Sequence, residues 1–130
     1  MDFKVNITGL QHIGIQTERF QTTVKFYESL GFCGVLRTEV SEYHQPVSFL
    51  NNGNLIMEVY GCEKTSSEVG VIDHIALNVI DIDAAFEDKK EMGLVLQEDQ
   101  IGFLPFWDNG IRYFTVFGPN NEKVEFCQRL

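Results

Sequence analysis

The run Leu10-Gln11-His12-Ile13-Gly14-Ile15-Gln16 returns 62 residues later as Ile72-Asp73-His74-Ile75-Ala76-Leu77-Asn78. In both copies a histidine stands in an alternating pattern. That pattern reads as a strand with the histidine on one face and two large aliphatics, Ile13 and Ile15 or Ile75 and Leu77, on the other. A repeated histidine on a repeated strand points to a paired site, and the segments around it test whether the repeat is real.

After the first copy, expected as a strand over residues 9–16, Thr17 or Glu18 opens a helix to about Leu30, with Phe20, Val24 and Tyr27 on one face. Gly31 stops it in the position that favours a left-handed cap. A strand over 32–40, a polar turn Ser41-Glu42-Tyr43-His44-Gln45, a strand over 46–50, the hairpin signal Asn51-Asn52-Gly53-Asn54 and a strand over 55–60 follow. The first half therefore reads β-α-β-β-β.

The second half restarts the pattern. A strand over 71–79 leads to a helix over 81–92 with Asp81 as N-cap and Ile82, Ala85 and Phe86 as its apolar stripe, ended by Gly93, again 62 residues after its counterpart Gly31. A strand near 94–97, a longer segment over 98–110 holding Phe103-Leu104-Pro105-Phe106-Trp107, a strand over 111–117, a Gly118-Pro119-Asn120-Asn121 turn and a last strand over 122–127 complete it. Glu125 follows Glu58 by 67 residues, so the repeat persists with five residues added. The organisation expected is one domain over 1–130, with module one over about 8–61, a polar linker over about 62–70 and module two over about 71–130.

Composition limits the function. The 130 residues are 44% hydrophobic and lack the roughly 18–20-residue apolar run of a membrane helix, so no membrane partner is expected. The net charge of −9 and the scatter of the ten Lys and Arg residues argue against nucleic acid and against a polyanionic substrate. The start Met1-Asp2-Phe3-Lys4 lacks a secretory pattern, and Cys33, Cys62 and Cys127 fit neither a disulfide framework nor a thiolate zinc site. A cytoplasmic, reduced protein is the expectation.

Each half supplies one histidine on its first strand and one glutamate on its last. The neighbours Ile13, Ile75, Met57, Val59, Val124 and Phe126 are expected to pack under the helices. Alternation then turns His12, Glu58, His74 and Glu125 to the opposite face, where two pseudo-symmetric sheets curled round a cavity would converge them. A single strand histidine is ordinarily a core or surface residue. Two carboxylates at matched places on apolar strands, each costly to bury unpaired, favour instead a site for one divalent metal such as Ni, Zn, Co, Mn or Fe(II). His44 has no counterpart and is expected on the surface or at a cavity rim. By strand phase Gln16, Tyr60 and Asn78 face the same side as the ligands and are candidate substrate-binding residues. Phe106 and Trp107 are placed to cap the cavity, with ordinary packing or a subunit interface as the competing reading.

The two histidine strands, the Phe26-Tyr27-x-x-Leu30-Gly31-Phe32 helix end and the Gly118-Pro119-Asn-Asn-Glu-Lys-Val-Glu-Phe tail resemble the vicinal oxygen chelate superfamily, which includes glyoxalase I, over essentially the whole chain. The resemblance implies an α+β fold of two βαβββ modules forming a cup-shaped mixed sheet with helices outside. It also implies one metal held by His12, Glu58, His74 and Glu125, and a homodimer. Extradiol dioxygenases and fosfomycin-modifying enzymes use two His and one Glu, methylmalonyl-CoA epimerase has Gln in the place of Glu58, and antibiotic-sequestering members lack the ligands. The full set matches glyoxalase I.

The activity so implied is that of a metal-dependent lyase or isomerase acting on a small molecule. It would shift a proton through a metal-bound enediolate of an α-hydroxycarbonyl or thiol adduct, with Glu58 or Glu125 as catalytic base. Lactoylglutathione lyase is one form of it. The alternatives are an epimerase of a small keto or sugar-like compound and a non-catalytic small-ligand binding or resistance protein. Where bacterial glyoxalase I holds glutathione with an Arg and an Asn, this chain has Gln16 and Cys62, which removes the guanidinium partner of a glutathione carboxylate.

Overall fold

In each half of the chain the first strand pairs in parallel with the last, and the rest of the sheet hangs from that pairing. The computed structural model describes residues 2–40, 44–70 and 72–130. It divides into two compact units, Met1–Ser66 and Ser67–Leu130.

The first unit runs α1 (Phe3–Asn6), β1 (Ile13–Thr17), α2 (Phe20–Ser29), β2 (Cys33–Val40), β3 (Gln45–Asn52) and β4 (Leu55–Gly61). Its sheet has the order β1-β4-β3-β2, parallel between β1 and β4 and antiparallel elsewhere. The helix stripe read from the sequence is the buried one: Phe20, Val24 and Tyr27, joined by Thr23. Beneath the helix, Leu50, Met57 and Val59 are inaccessible to solvent, and the Phe32 ring stands edge-on to Tyr27 at 5.7 Å. Burying side chains of this size contributes about 1.5–3 kcal/mol each.

The second unit runs β5 (His74–Asn78), α3 (Ile82–Met92), β6 (Val95–Leu96), β7 (Gly102–Leu104), β8 (Ile111–Phe117) and β9 (Lys123–Arg129). Its order is β5-β9-β8-β6, with β7 also on β8 and β5 parallel to β9. The Asp81 side chain accepts from the Ala84 amide at 3.0 Å, and Gly93 takes the left-handed φ of 68° that a side chain would oppose, both as the sequence reads. Ile82 is fully buried, Phe86 meets Phe114 edge-on, and Phe114 stacks on Phe126. Lys89 runs across the Phe86 ring with its amine 4.5 Å from the centroid, so its methylene stem covers the core. Mixed α+β architecture with two mixed sheets is therefore the fold, as expected.

Several boundaries differ from the sequence reading. β1 begins at Ile13, which leaves His12 one residue ahead of the strand. α2 begins at Phe20 rather than at Thr17 or Glu18, because Thr17 is still paired with Gly61 in the sheet, and it is this threonine that the turn uses. Its hydroxyl accepts from the Arg19 amide at 2.8 Å and bonds the Thr23 hydroxyl at 2.9 Å. α1, capped by Asp2, was not foreseen, nor was β7. Within the long segment of module two, the Glu98 carboxylate accepts from the Thr115 amide at 2.9 Å, so the chain leaves the edge of β8 after Gln97 and rejoins it at Gly102. Ser41, Glu42 and Tyr43 of the expected polar turn, and Val71 at the expected start of the fifth strand, lie outside the described residues. His44 is exposed, with Nδ1 3.4 Å from Glu39.

Two outcomes test this packing. Met57→Ala should lower unfolding free energy by about 2–5 kcal/mol in denaturant titration, the cost of a cavity under α2. The second concerns Arg112, which grips Asp83 through two bonds of 2.8 and 2.9 Å and holds the Asp83 carboxyl below its usual pKa. A carboxylate depressed in the folded state stabilises above its unfolded pKa and loses that contribution as the pH falls through the folded value. Asp83→Asn should therefore lower the melting temperature at neutral pH, and the difference from wild type should close on acidification.

Candidate functional site

The two parallel pairings place the four expected ligands by the same geometry. On β1 and β4 Gly14 lies opposite Glu58, and His12 stands two residues before Gly14. On β5 and β9 Ala76 lies opposite Glu125, and His74 stands two residues before Ala76. Residues two apart share a face. The imidazole therefore leans over the glutamate from one pleat away: His12 Nε2 is 3.7 Å from Glu58 Oε1, and His74 Nε2 is 3.3 Å from Glu125 Oε2. A methyl at Gly14 would meet Glu58 Oε1 and the Tyr60 ring at 3.5 Å, an ordinary contact, and the second unit carries Ala76 at the matching place.

Both imidazoles are also held from behind. His12 Nδ1 bonds the Gln11 side-chain oxygen, and His74 Nδ1 bonds Asp73 Oδ2 at 2.9 Å. An acceptor on Nδ1 places the proton there and leaves the Nε2 lone pair facing the glutamate. Two acceptors facing each other across 3.3–3.7 Å need a positive species between them, either a proton on Nε2 or a cation. Two donors each about 2.1 Å from a shared ion would lie about 3.0 Å apart at octahedral and about 3.4 Å apart at tetrahedral angles. The donor chemistry and spacing thus fit a divalent metal, and an orienting acceptor behind the ring is what metal-binding histidines ordinarily have.

The pairs are partners, not a finished set of four. Among the described residues no three His, Cys, Asp or Glu side chains gather closely enough to hold a metal ion. Each unit supplies two donors.

The second pair has a stronger local field. Lys123 reaches Asp73 at 3.3 Å, and the bond to His74, followed by that to Lys123, lowers the Asp73 pKa. Burial pushes the Glu125 carboxyl up, against the pull of His74 and with a smaller push from Glu98. Burial and the neighbouring Glu125 likewise raise the Cys127 thiol.

The expected substrate-facing residues fall into two groups. Gln16 lies opposite Tyr60, one pleat beyond Gly14 and Glu58, so both share the face of the first pair. Asn78 lies opposite Cys127 on the face of the second. Phe106 and Trp107 are exposed in the β7–β8 loop, where Trp107 carries the Arg129 guanidinium 3.5 Å from its ring centroid. Residues the sequence reading passed over also hold the histidines. Gln11 and Asp73 directly precede the histidines, and a side-chain acceptor at that place in both repeats was a visible signal. Phe49, edge-on to His12 at 5.8 Å and opposite Glu58 in β3, is visible only in the register.

With this geometry in view, the chain matches the family model of the glyoxalase/bleomycin resistance protein/dioxygenase superfamily over residues 9–126. It belongs to that superfamily. Protein YwbC of Bacillus subtilis (strain 168), itself uncharacterized, is 30% identical over 127 residues, covering 92% of this chain and 97% of its own. A glyoxalase family protein from Enterococcus faecalis superposes with a TM-score of 0.79 at 20% identity, over 94% of this chain and 98% of that one. The fosfomycin resistance protein FosX from Listeria monocytogenes, solved with Mn(II) and sulfate, does so with 0.74 at 16%, over 95% and 94%. At such identities these likenesses establish the fold.

Nitrogen NMR of the imidazoles in metal-free protein at alkaline pH should find the Nδ1–H tautomer at both His12 and His74. Asp73→Leu should shift His74 toward the other tautomer and leave His12 unchanged.

Proposed function

We propose that the chain is a divalent-metal-dependent lyase or isomerase of the glyoxalase type, in which the pairs His12–Glu58 and His74–Glu125 together make one ligand set. The observation that carries this reading is the repeated geometry. In each unit a histidine with its Nδ1 held by the preceding residue turns Nε2 to a glutamate at 3.3–3.7 Å. The ion is Ni, Zn, Co, Mn or Fe(II), which suit mixed imidazole and carboxylate donors. FosX, solved with Mn(II), is a precedent within the fold. The set is completed within one chain or across a homodimer.

When bound, the metal supplies Lewis-acid polarisation of a substrate oxygen, which acidifies the neighbouring C–H. The chain's own residues do the rest. His12 and His74 are held in one orientation by Gln11 and Asp73. Glu58 or Glu125 takes the proton from one carbon of an α-hydroxycarbonyl or thiol adduct and returns it to the next. Gln16, Tyr60 and Asn78 bound the substrate on the ligand faces, and Phe106 and Trp107 shield the site from water. Lactoylglutathione lyase is the named form of this activity. Gln16 and Cys62, in place of a basic residue and an amide, favour a thiol adduct or hydroxyketone without glutathione's carboxylates.

Elemental analysis of purified protein should find one divalent ion per ligand set, and Glu58→Gln should weaken its affinity. Removing the second-pair support by Asp73→Asn should cost about 10–100-fold in metal affinity. Substrates are then found by exchange of a C–H proton with deuterated water. A protein that takes up no divalent metal would leave a small-ligand binding protein as the better account.

A further inference from the structure

The ligand face of the second unit continues past the ligands. Alternation along β9 puts Lys123, Glu125, Cys127 and Arg129 on one side of the strand and Val124 and Phe126 on the other, where Phe126 stacks on Phe114. Lys123 is committed to Asp73 at 3.3 Å. Arg129 is exposed, and its side chain has neither an ion pair nor a hydrogen bond among the described residues. Its guanidinium instead lies over Trp107.

That stack is held in place. The Leu130 amide donates to the Gly110 carbonyl at 3.0 Å, and the Asn109 side chain donates to the Leu130 carbonyl at 3.4 Å, which fastens the Trp107 loop to the end of β9. Trp107 itself takes a φ of 63°, a conformation bulky residues seldom adopt. A guanidinium stacked on an indole is fixed in plane, with its N–H groups still free for an acceptor. In a chain of net charge −9, this is a localised, oriented and unneutralised cation on the same face as Glu125.

We infer that Arg129, oriented by Trp107, recognises an oxyanion, a carboxylate or a phosphoryl-type group, carried by the substrate. The inference rests on the reading of Glu125 as marking the reacting end. Arg129 lies four residues further along β9, about 13 Å of strand, so the anionic group is remote from the carbon whose proton moves. The planar fork of Arg matches two oxygens of such a group at once. The overall acidity of the chain repels polyanions and leaves a compound with one anionic end as the fitting class.

Trp107 is the chain's single tryptophan, so its fluorescence reads this position without another indole. Full-length protein, kept in chelator so that no divalent ion takes part, is titrated with inorganic phosphate and with acetate at ionic strength held constant by sodium chloride. Wild type should give a saturable emission change with at least one of the two, and the one that saturates tells a phosphoryl from a carboxyl end. Arg129→Gln should bind at least tenfold more weakly with its thermal melt unchanged, and Arg129→Lys should recover part of the loss. Lys25→Gln, which removes a positive charge from the exposed side of α2, should bind as wild type does. No saturable change with either anion, or equal binding by Arg129→Gln, would overturn the subsite. Metal content is measured on a separate chelator-free sample. Anion binding without metal uptake would sink the proposed chemistry and leave the subsite standing.

Discussion

The parallel pairing of first strand with last, β1 with β4 and β5 with β9, is the constraint on which the rest depends. It puts Gly14 against Glu58 and Ala76 against Glu125, and from that register the histidine two residues upstream has only one place to go. A slip of one residue would turn each glutamate into the apolar layer under the helix and each core residue out. The solvent-free side of the same strands, Met57 and Val59 in one unit and Val124 in the other, holds the register against such a slip. Core packing and placement of the donors are thus two faces of one arrangement.

The two pairs share geometry and differ in electrostatics. Behind His12 stands the neutral amide of Gln11, and behind His74 stands the carboxylate of Asp73, itself tied to Lys123. Glu125 is also the glutamate whose carboxyl burial pushes up. Matched backbones in the two halves thus carry unequal side-chain surroundings.

Much of this was legible in the chain. Helix caps were read where a single residue type has a distinct physical role, as at Asp81, Gly31 and Gly93, and the ligand candidates were read because alternation has a period of two that survives a few residues of boundary error. The errors came where a tertiary bond overrode a local signal. Thr17 looks like an N-cap, yet its backbone is held in the sheet and its hydroxyl is shared with Thr23. The segment around Glu98 looks like a loop, yet the Glu98 carboxylate replaces a backbone partner for Thr115 and lets a short strand rejoin the edge.

By itself, the sequence determined the repeat, the order of elements in each half apart from α1 and β7, the apolar faces and the two candidate His–Glu pairs, because these rest on periodicity and on residue types with narrow conformational preferences. Only the tertiary structure decided what surrounds them: Phe49 beside His12, Lys123 on Asp73, and Arg129 stacked on Trp107. Those neighbours come from different strands and loops, and their meeting depends on register and loop closure, which no local pattern encodes.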